Sequence, residues 1–142
     1  VVAATLGIWQ GVAALENVAE ILRASSEGGA AVEAVASNNL TLVKRLLARL
    51  RLGNDALGRL LGGIAPCECA SAIALMRAAL GRGESARRSV DLGFGISLGL
   101  FGAFFIGDDA LHDYDLGAAH RNVFATLCVA FLAVRADQDT GD

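Results

Sequence analysis

Proline is all but missing from this chain of 142 residues, which holds one, Pro66. With so few helix breakers, and with Ala, Leu and Gly outnumbering the β-branched residues, the composition points to an all-α chain. Cysteine is scarce as well. Cys67, Cys69 and Cys128 are three, an odd number that excludes a fully paired disulfide scaffold and suits a reducing compartment or a membrane interior. Charge is thin, at 19% of residues against about 25% in ordinary soluble domains. Two histidines and three cysteines are too few to assemble a convincing nucleophile-and-base pair. No G-x-x-x-x-G-K-[ST], G-x-S-x-G or H-E-x-x-H pattern occurs. No cationic n-region followed by an apolar core and a cleavage site stands in the sequence, so a retained signal peptide is not expected, whereas a removed organelle import sequence would suit the chain.

What the chain does hold is apolar and small. Hydrophobic residues make up 54%, glycine contributes 17 residues, and the mean hydropathy is +0.51. Leu92–Gly107 runs for sixteen residues without a charge, with Gly95, Gly99, Ala103 and Gly107 at every fourth position. Residues four apart share a helix face, so these form a smooth ribbon. In water each glycine would cost a helix about 0.8–1 kcal/mol relative to Ala, whereas in a bilayer such a ribbon lets a second helix come close. Ala3, Gly7 and Gly11 repeat the spacing near the start of the chain.

The organisation is a single helical domain over residues 1–142: an apolar helix at 1–23, a basic amphipathic helix within 30–52, an apolar helix at 57–80, a helical hairpin at 89–134 and a polar, frayed tail at 135–142. Within the second segment, Ser37-Asn38-Asn39 reads as a cap for Leu40–Leu52, too polar to span, which Gly53-Asn54 stops. The third segment is the least comfortable. Its apolar stretch, Leu60–Met76, lies between Arg59 and Arg77 and spans about 26 Å, short of a hydrocarbon core of about 30 Å; a re-entrant, interfacial or partner-buried segment is one expectation for it.

Charge is segregated along the chain. Residues 1–43 hold four acids and one base, residues 44–88 three acids and nine bases, and residues 89–142 eight acids and two bases. Loops on opposite sides of a membrane often show such a pattern. Arg87, Arg88 and Arg135 would share one side of the hairpin and the acidic loop Asp108–Asp115 the other. The fold class expected is therefore an all-α, small multi-helix membrane protein with two to three transmembrane helices, including the C-terminal hairpin, beside one basic amphipathic helix. A soluble helical bundle is the rival.

Few constellations carry chemistry. Cys67-Glu68-Cys69 lacks the second Cys or His pair of a zinc site, and its thiols point about 200° apart on a helix; small buried thiols at a helix contact are the expectation. Glu68 in an apolar run is either functional or an interface residue. Gln10, Glu16 and Asn17 suit interhelical hydrogen bonding or weak axial ligation. His120 is the candidate ligand for haem or a chlorophyll-type pigment, since an imidazole nitrogen ligates tetrapyrroles and Gly/Ala faces leave room for a flat macrocycle; His112 is a weaker one. The aspartates of 108–115 lack the central Gly and terminal Glu of an EF-hand and read as a solvated loop. Gly93, Gly95 and Gly99 miss the dinucleotide-loop spacing.

Lys44, Arg45, Arg49 and Arg51 would meet anionic headgroups or an acidic neighbour rather than nucleic acid, because no base-reading groups are interleaved with them. The function expected is that of a non-catalytic accessory subunit of a membrane complex, in a photosynthetic or respiratory assembly of a thylakoid or mitochondrial inner membrane. Gly7, Gly11, Gly95, Gly99 and Ala103 would serve as packing residues, other membrane subunits and the lipid bilayer as partners. No cofactor is required; chlorophyll, a carotenoid, haem or lipid are the candidates.

Overall fold

The computed structural model describes residues 1–24, 47–51, 54–112 and 114–140. Their regular structure is entirely helical: α1 (Val2–Ala24), α2 (Asn54–Leu80), α3 (Gly83–Ala110) and α4 (Tyr114–Thr140), with one further turn at 47–49. The all-α expectation holds. Three helices are long and apolar enough to cross a membrane, over Gly58–Leu80, Gly83–Ala110 and Gly117–Gln138, the upper end of the two to three expected.

The helices run up, down, up and down. α1 packs along α2, α2 along α3 and α3 along α4, while α4 returns to touch α1. Contacts running in opposite senses fix the directions: Gly7 lies against Ala72 and Met76 while Asn17 meets Glu68; Ser71 meets Ser97 and Leu75 meets Gly93; Phe94 meets Phe131 and Asp108 meets His120.

Two tight turns enforce the antiparallel path. Between α2 and α3, the Gly81 amide donates to the Arg77 carbonyl at 2.8 Å, and Gly83 takes φ +63, a left-handed conformation open to glycine without a Cβ penalty. Between α3 and α4, the Leu111 amide donates to the carbonyls of Gly107 and Asp108 at 3.0 and 3.2 Å. His112 then reverses the chain at φ 57, a region His visits more readily than most residues.

Several sequence expectations are corrected. Segment 57–80 is no re-entrant piece but part of a continuous 27-residue helix, about 40 Å long at 1.5 Å per residue, because it continues past both Arg59 and Arg77. Pro66 does not break it: Gly62 and Gly63, one turn earlier, have open space beside them, so the carbonyl that the ring displaces tilts outward freely. The tail expected from Arg135 is helical to Thr140. Arg87 Nη2 donates to the Gln138 carbonyl at 2.7 Å, and Arg135 pairs with Asp91 at 3.5 Å, so both ends of the hairpin are tied. The acidic loop is shorter than expected as well, since α3 carries Asp108 and Asp109 before it ends. The proposed cap at Ser37-Asn38-Asn39 and most of Leu40–Leu52 lie outside the described residues. Of that helix, Leu47 packs on Leu61 and Ile21, and the turn ends at Arg51 with φ 55.

Packing follows close approach between α1, α2 and α3. A Cβ at Gly7 would stand 3.0 Å from Met76 Cγ, and one at Gly93 only 2.7 Å from Leu75 Cγ. The main core cluster is Ala3, Leu75, Val90, Phe94, Phe101 and Leu127. Beyond it the interior is unusually polar. Gln10, Asn17, Glu20, Glu68, Ser71, Ser97 and Asp108 are all buried, while Ile8, Val12, Leu15, Val18, Ile73, Leu92, Val129 and Leu132 face outward. Buried apolar residues still outnumber buried polar ones, but the outer surface carries many large apolar side chains.

Candidate functional site

Two polar constructions occupy the bundle interior. The first crosses three helices. Gln10 Nε2 on α1 donates to Ser97 Oγ on α3 at 2.9 Å, and Ser71 Oγ on α2 donates to the Gly93 carbonyl at 2.9 Å. The two hydroxyls meet at 2.6 Å. Because the Ser71 proton is committed to Gly93, Ser97 must be the donor between them. The result is a directional chain from Gln10 to Ser97 to Ser71 to a backbone carbonyl. Gln10 Oε1 is buried without a partner.

The second lies nearer the end that carries the α3–α4 turn. A cavity of about 560 Å³ opens among all four helices, floored by Trp9, Phe101 and Phe104 and carrying Glu16, Asn17, Glu68, Asp108 and His120. Trp9 stacks on Phe101 with ring centroids 5.5 Å apart and planes 22° apart. Asn17 Nδ2 donates to Glu68 Oε2 at 2.7 Å, joining α1 to α2, and His120 Nδ1 stands 2.5 Å from Asp108 Oδ2, joining α4 to α3. Glu68 and Asp108 are each 4% exposed. Phe101 and Phe104 pack on the His120 ring at 6.0 and 5.2 Å. Among the described residues no Lys or Arg and no hydroxyl or thiol lines this cavity, so its described wall offers acids, an amide and an imidazole set among apolar side chains.

Among the residues singled out by sequence, Gln10 and Asn17 make the interhelical bonds expected of them, and Glu68 is an interface residue on the inner face of α2. Gly7 and Gly11 lie on the α1–α2 contact, Gly11 at 3.9 Å from Ala72 Cβ as a Cβ position. Gly95, Gly99 and Ala103 do not. The two glycines have open space where a Cβ would be, and Ala103 is exposed. α3 meets its neighbours through Phe94, Ser97 and Phe101 on the opposite side, so the ribbon is not the hairpin's own contact surface.

The thiols of Cys67 and Cys69 correct the expectation of burial: both are exposed, flanking the inward Glu68. Asp108 is likewise no solvated loop residue, because the extra turn of α3 carries it inward to His120. Arg49 and Arg51 are exposed, and Arg49 Nη1 donates to the Leu111 carbonyl at 3.2 Å, tying the 47–51 turn to the α3–α4 turn. Lys44 and Arg45 fall outside the described residues.

As a cofactor ligand, His120 has one ring nitrogen committed to Asp108, the orientation that ligating histidines commonly show. Among the described residues no group of three or more His, Cys, Asp or Glu side chains converges for a metal ion. Trp9, Phe101 and Asp108 escaped the sequence reading as site residues; the signal for Trp9 was only the polar pair Glu16 and Asn17 about two helical turns beyond it. Compared with protein-family models, curated proteins and solved structures, the chain finds no match.

Proposed function

We propose that this chain is a membrane-embedded helical bundle serving as a non-catalytic accessory subunit of a larger membrane assembly. The observation that carries this reading is the distribution of side chains. Seven polar or charged residues are buried while fifteen large hydrophobic ones are exposed. In water, such a contiguous apolar exterior would be a liability for association; in hydrocarbon it is the ordinary lipid-facing surface, with polar groups turned to one another. This favours the membrane reading over a soluble interaction domain. The apolar window of α4 is only 11% buried within the bundle, which leaves a broad face for lipid or for another subunit.

The outward glycines Gly95 and Gly99 support the accessory role, since small residues facing away from the chain's own helices permit close approach by a partner helix. A photosynthetic or respiratory assembly in a thylakoid or mitochondrial inner membrane is the host in this proposal. A pigment-bearing subunit is the second reading, favoured by the Asp108-oriented His120 at the cavity wall. Visible absorption in the purified native protein, lost in His120→Ala, would support it; a colourless preparation would remove it.

The test of the main reading has two stages. Alkaline carbonate should leave the protein in the membrane pellet, and Gly99→Ile should reduce co-purifying subunits without changing the bundle's own unfolding midpoint. Release by carbonate would overturn membrane embedding, and undiminished co-purification would overturn the role of the ribbon.

A further inference from the structure

The cavity between the four helices supports a conclusion that does not depend on any partner subunit. Its walls carry Glu16, Glu68 and Asp108 from three helices beside the stacked pair Trp9 and Phe101, with no Lys or Arg among the described lining residues. Asp108 Oδ2 is engaged by His120 Nδ1. Glu68 is not matched by any cation: Asn17 occupies Oε2, and Oε1 has no partner among the described residues although the side chain is 4% exposed. Glu16 adds a second carboxylate on the facing helix without a hydrogen-bond partner among the described residues.

We infer that this cavity is a binding site for a lipophilic organic monocation, with the charge held by Glu68 and Glu16 and the apolar body lying against Trp9 and Phe101. A buried carboxylate without a counter-charge is costly, and a bound cation offsets that cost. Aromatic faces attract cations, Trp best of all. The volume, about 560 Å³, lies in the range that holds drug-sized ligands. A bare metal ion fits poorly, because no three candidate ligands converge among the described residues. An anion would face several carboxylates and, among the described lining residues, no Lys or Arg. That also sets this ligand class apart from haem, whose carboxylate groups would meet Glu16 and Glu68.

Trp9 is the chain's single tryptophan and lines the cavity, so its fluorescence reports occupancy directly. The experiment titrates purified protein in detergent with tetraphenylphosphonium, and in parallel with tetraphenylborate, which has the same shape and the opposite charge. Saturable quenching by the phosphonium is expected, with no saturable response to the borate. Glu68→Gln, which keeps the bond to Asn17, should raise the Kd at least tenfold, and Glu16→Gln should raise it severalfold. Should Glu68→Gln fail to fold, Glu16→Gln decides the matter, since that side chain supports no contact needed by the bundle. The inference is overturned if the phosphonium quenches Trp9 no more than it quenches a free tryptophan amide in the same micelles. Equal saturable response to the borate, or unchanged Kd in the folded carboxylate variants, would overturn it as well.

Discussion

Gly93 and Gly95 sit two residues apart on α3, yet the same substitution should act on them in opposite senses. A Cβ at Gly93 would stand 2.7 and 2.9 Å from Leu75 Cγ and Cδ2 and 3.2 Å from the Leu75 backbone nitrogen, whereas at Gly95 nothing lies within 4 Å. Leu75 is fully buried in the main core and cannot swing away, so α2 and α3 must separate to admit the methyl group. Replacing a helical Gly by Ala gains up to about 1 kcal/mol of intrinsic propensity. That gain is common to both positions and cancels when the two variants are compared. The difference between Gly93→Ala and Gly95→Ala is therefore the overpacking cost alone, about 1–3 kcal/mol. The Ser71 bond to the Gly93 carbonyl at 2.9 Å would stretch with the same separation, which favours the upper half of that range. Unfolding in detergent by added dodecyl sulfate, followed through Trp9 against Phe101, measures it. A difference below about 0.5 kcal/mol, the usual scatter for substitutions that touch nothing, would refute the α2–α3 geometry, and so would a larger loss in Gly95→Ala.

Other consequences are open to similar checks. Ser97→Ala cuts the directional chain between Gln10 and Ser71 and should cost about 0.5–1.5 kcal/mol in the same titration; an unchanged midpoint would dissolve the chain as a stabilising element. Asp108→Leu leaves His120 without its partner inside the wall and should cost about 1–3 kcal/mol; retention of wild-type stability would show that the pair holds nothing together. Cys67 stands at the midpoint of α2 on its outer face. In membranes it should resist a charged maleimide until dodecyl sulfate is added, whereas rapid labelling in intact membranes would contradict a lipid-covered α2.

Much of the fold could be read from residues alone, and the failures have definite physical causes. The scarcity of proline and the apolar runs were enough for an all-α chain, and Gln10 and Asn17 announced interhelical bonds because apolar helices rarely carry amides without using them. The ribbon at Gly95 and Gly99 was legible as a small-residue face, but the side of α3 it occupies was not. Which side of a helix turns inward depends on what the neighbours offer, and α2 offers Ser71 and Leu75 to the side bearing Ser97 and Gly93. Asp108 was hidden in a run of aspartates that looks uniformly solvated; one further turn of helix separates it from Asp109 by 100° and sends it to His120. The cavity was beyond reach altogether, since Trp9, Glu68, Phe101 and His120 come from four different helices.

The polar chain through the interior also bears on how the protein is made. Its first donor, Gln10, belongs to the helix synthesised first, but the acceptor hydroxyls of Ser97 and Ser71 arrive only after α2 and α3. Until then α1 carries Gln10 and Asn17 without the Ser97 and Glu68 that receive their hydrogen bonds, which disfavours its holding a central position in lipid alone. α2, α3 and α4 follow one another through turns of two or three residues and meet as successive hairpins. On the proposed membrane reading, the order of synthesis and the order of assembly are opposed: α1, made before α2–α4, would dock after them and complete rather than nucleate the bundle. Gln10→Leu should relax that dependence and let α1 enter the bilayer before its partners exist, which site-specific crosslinking to lipid on stalled nascent chains would reveal.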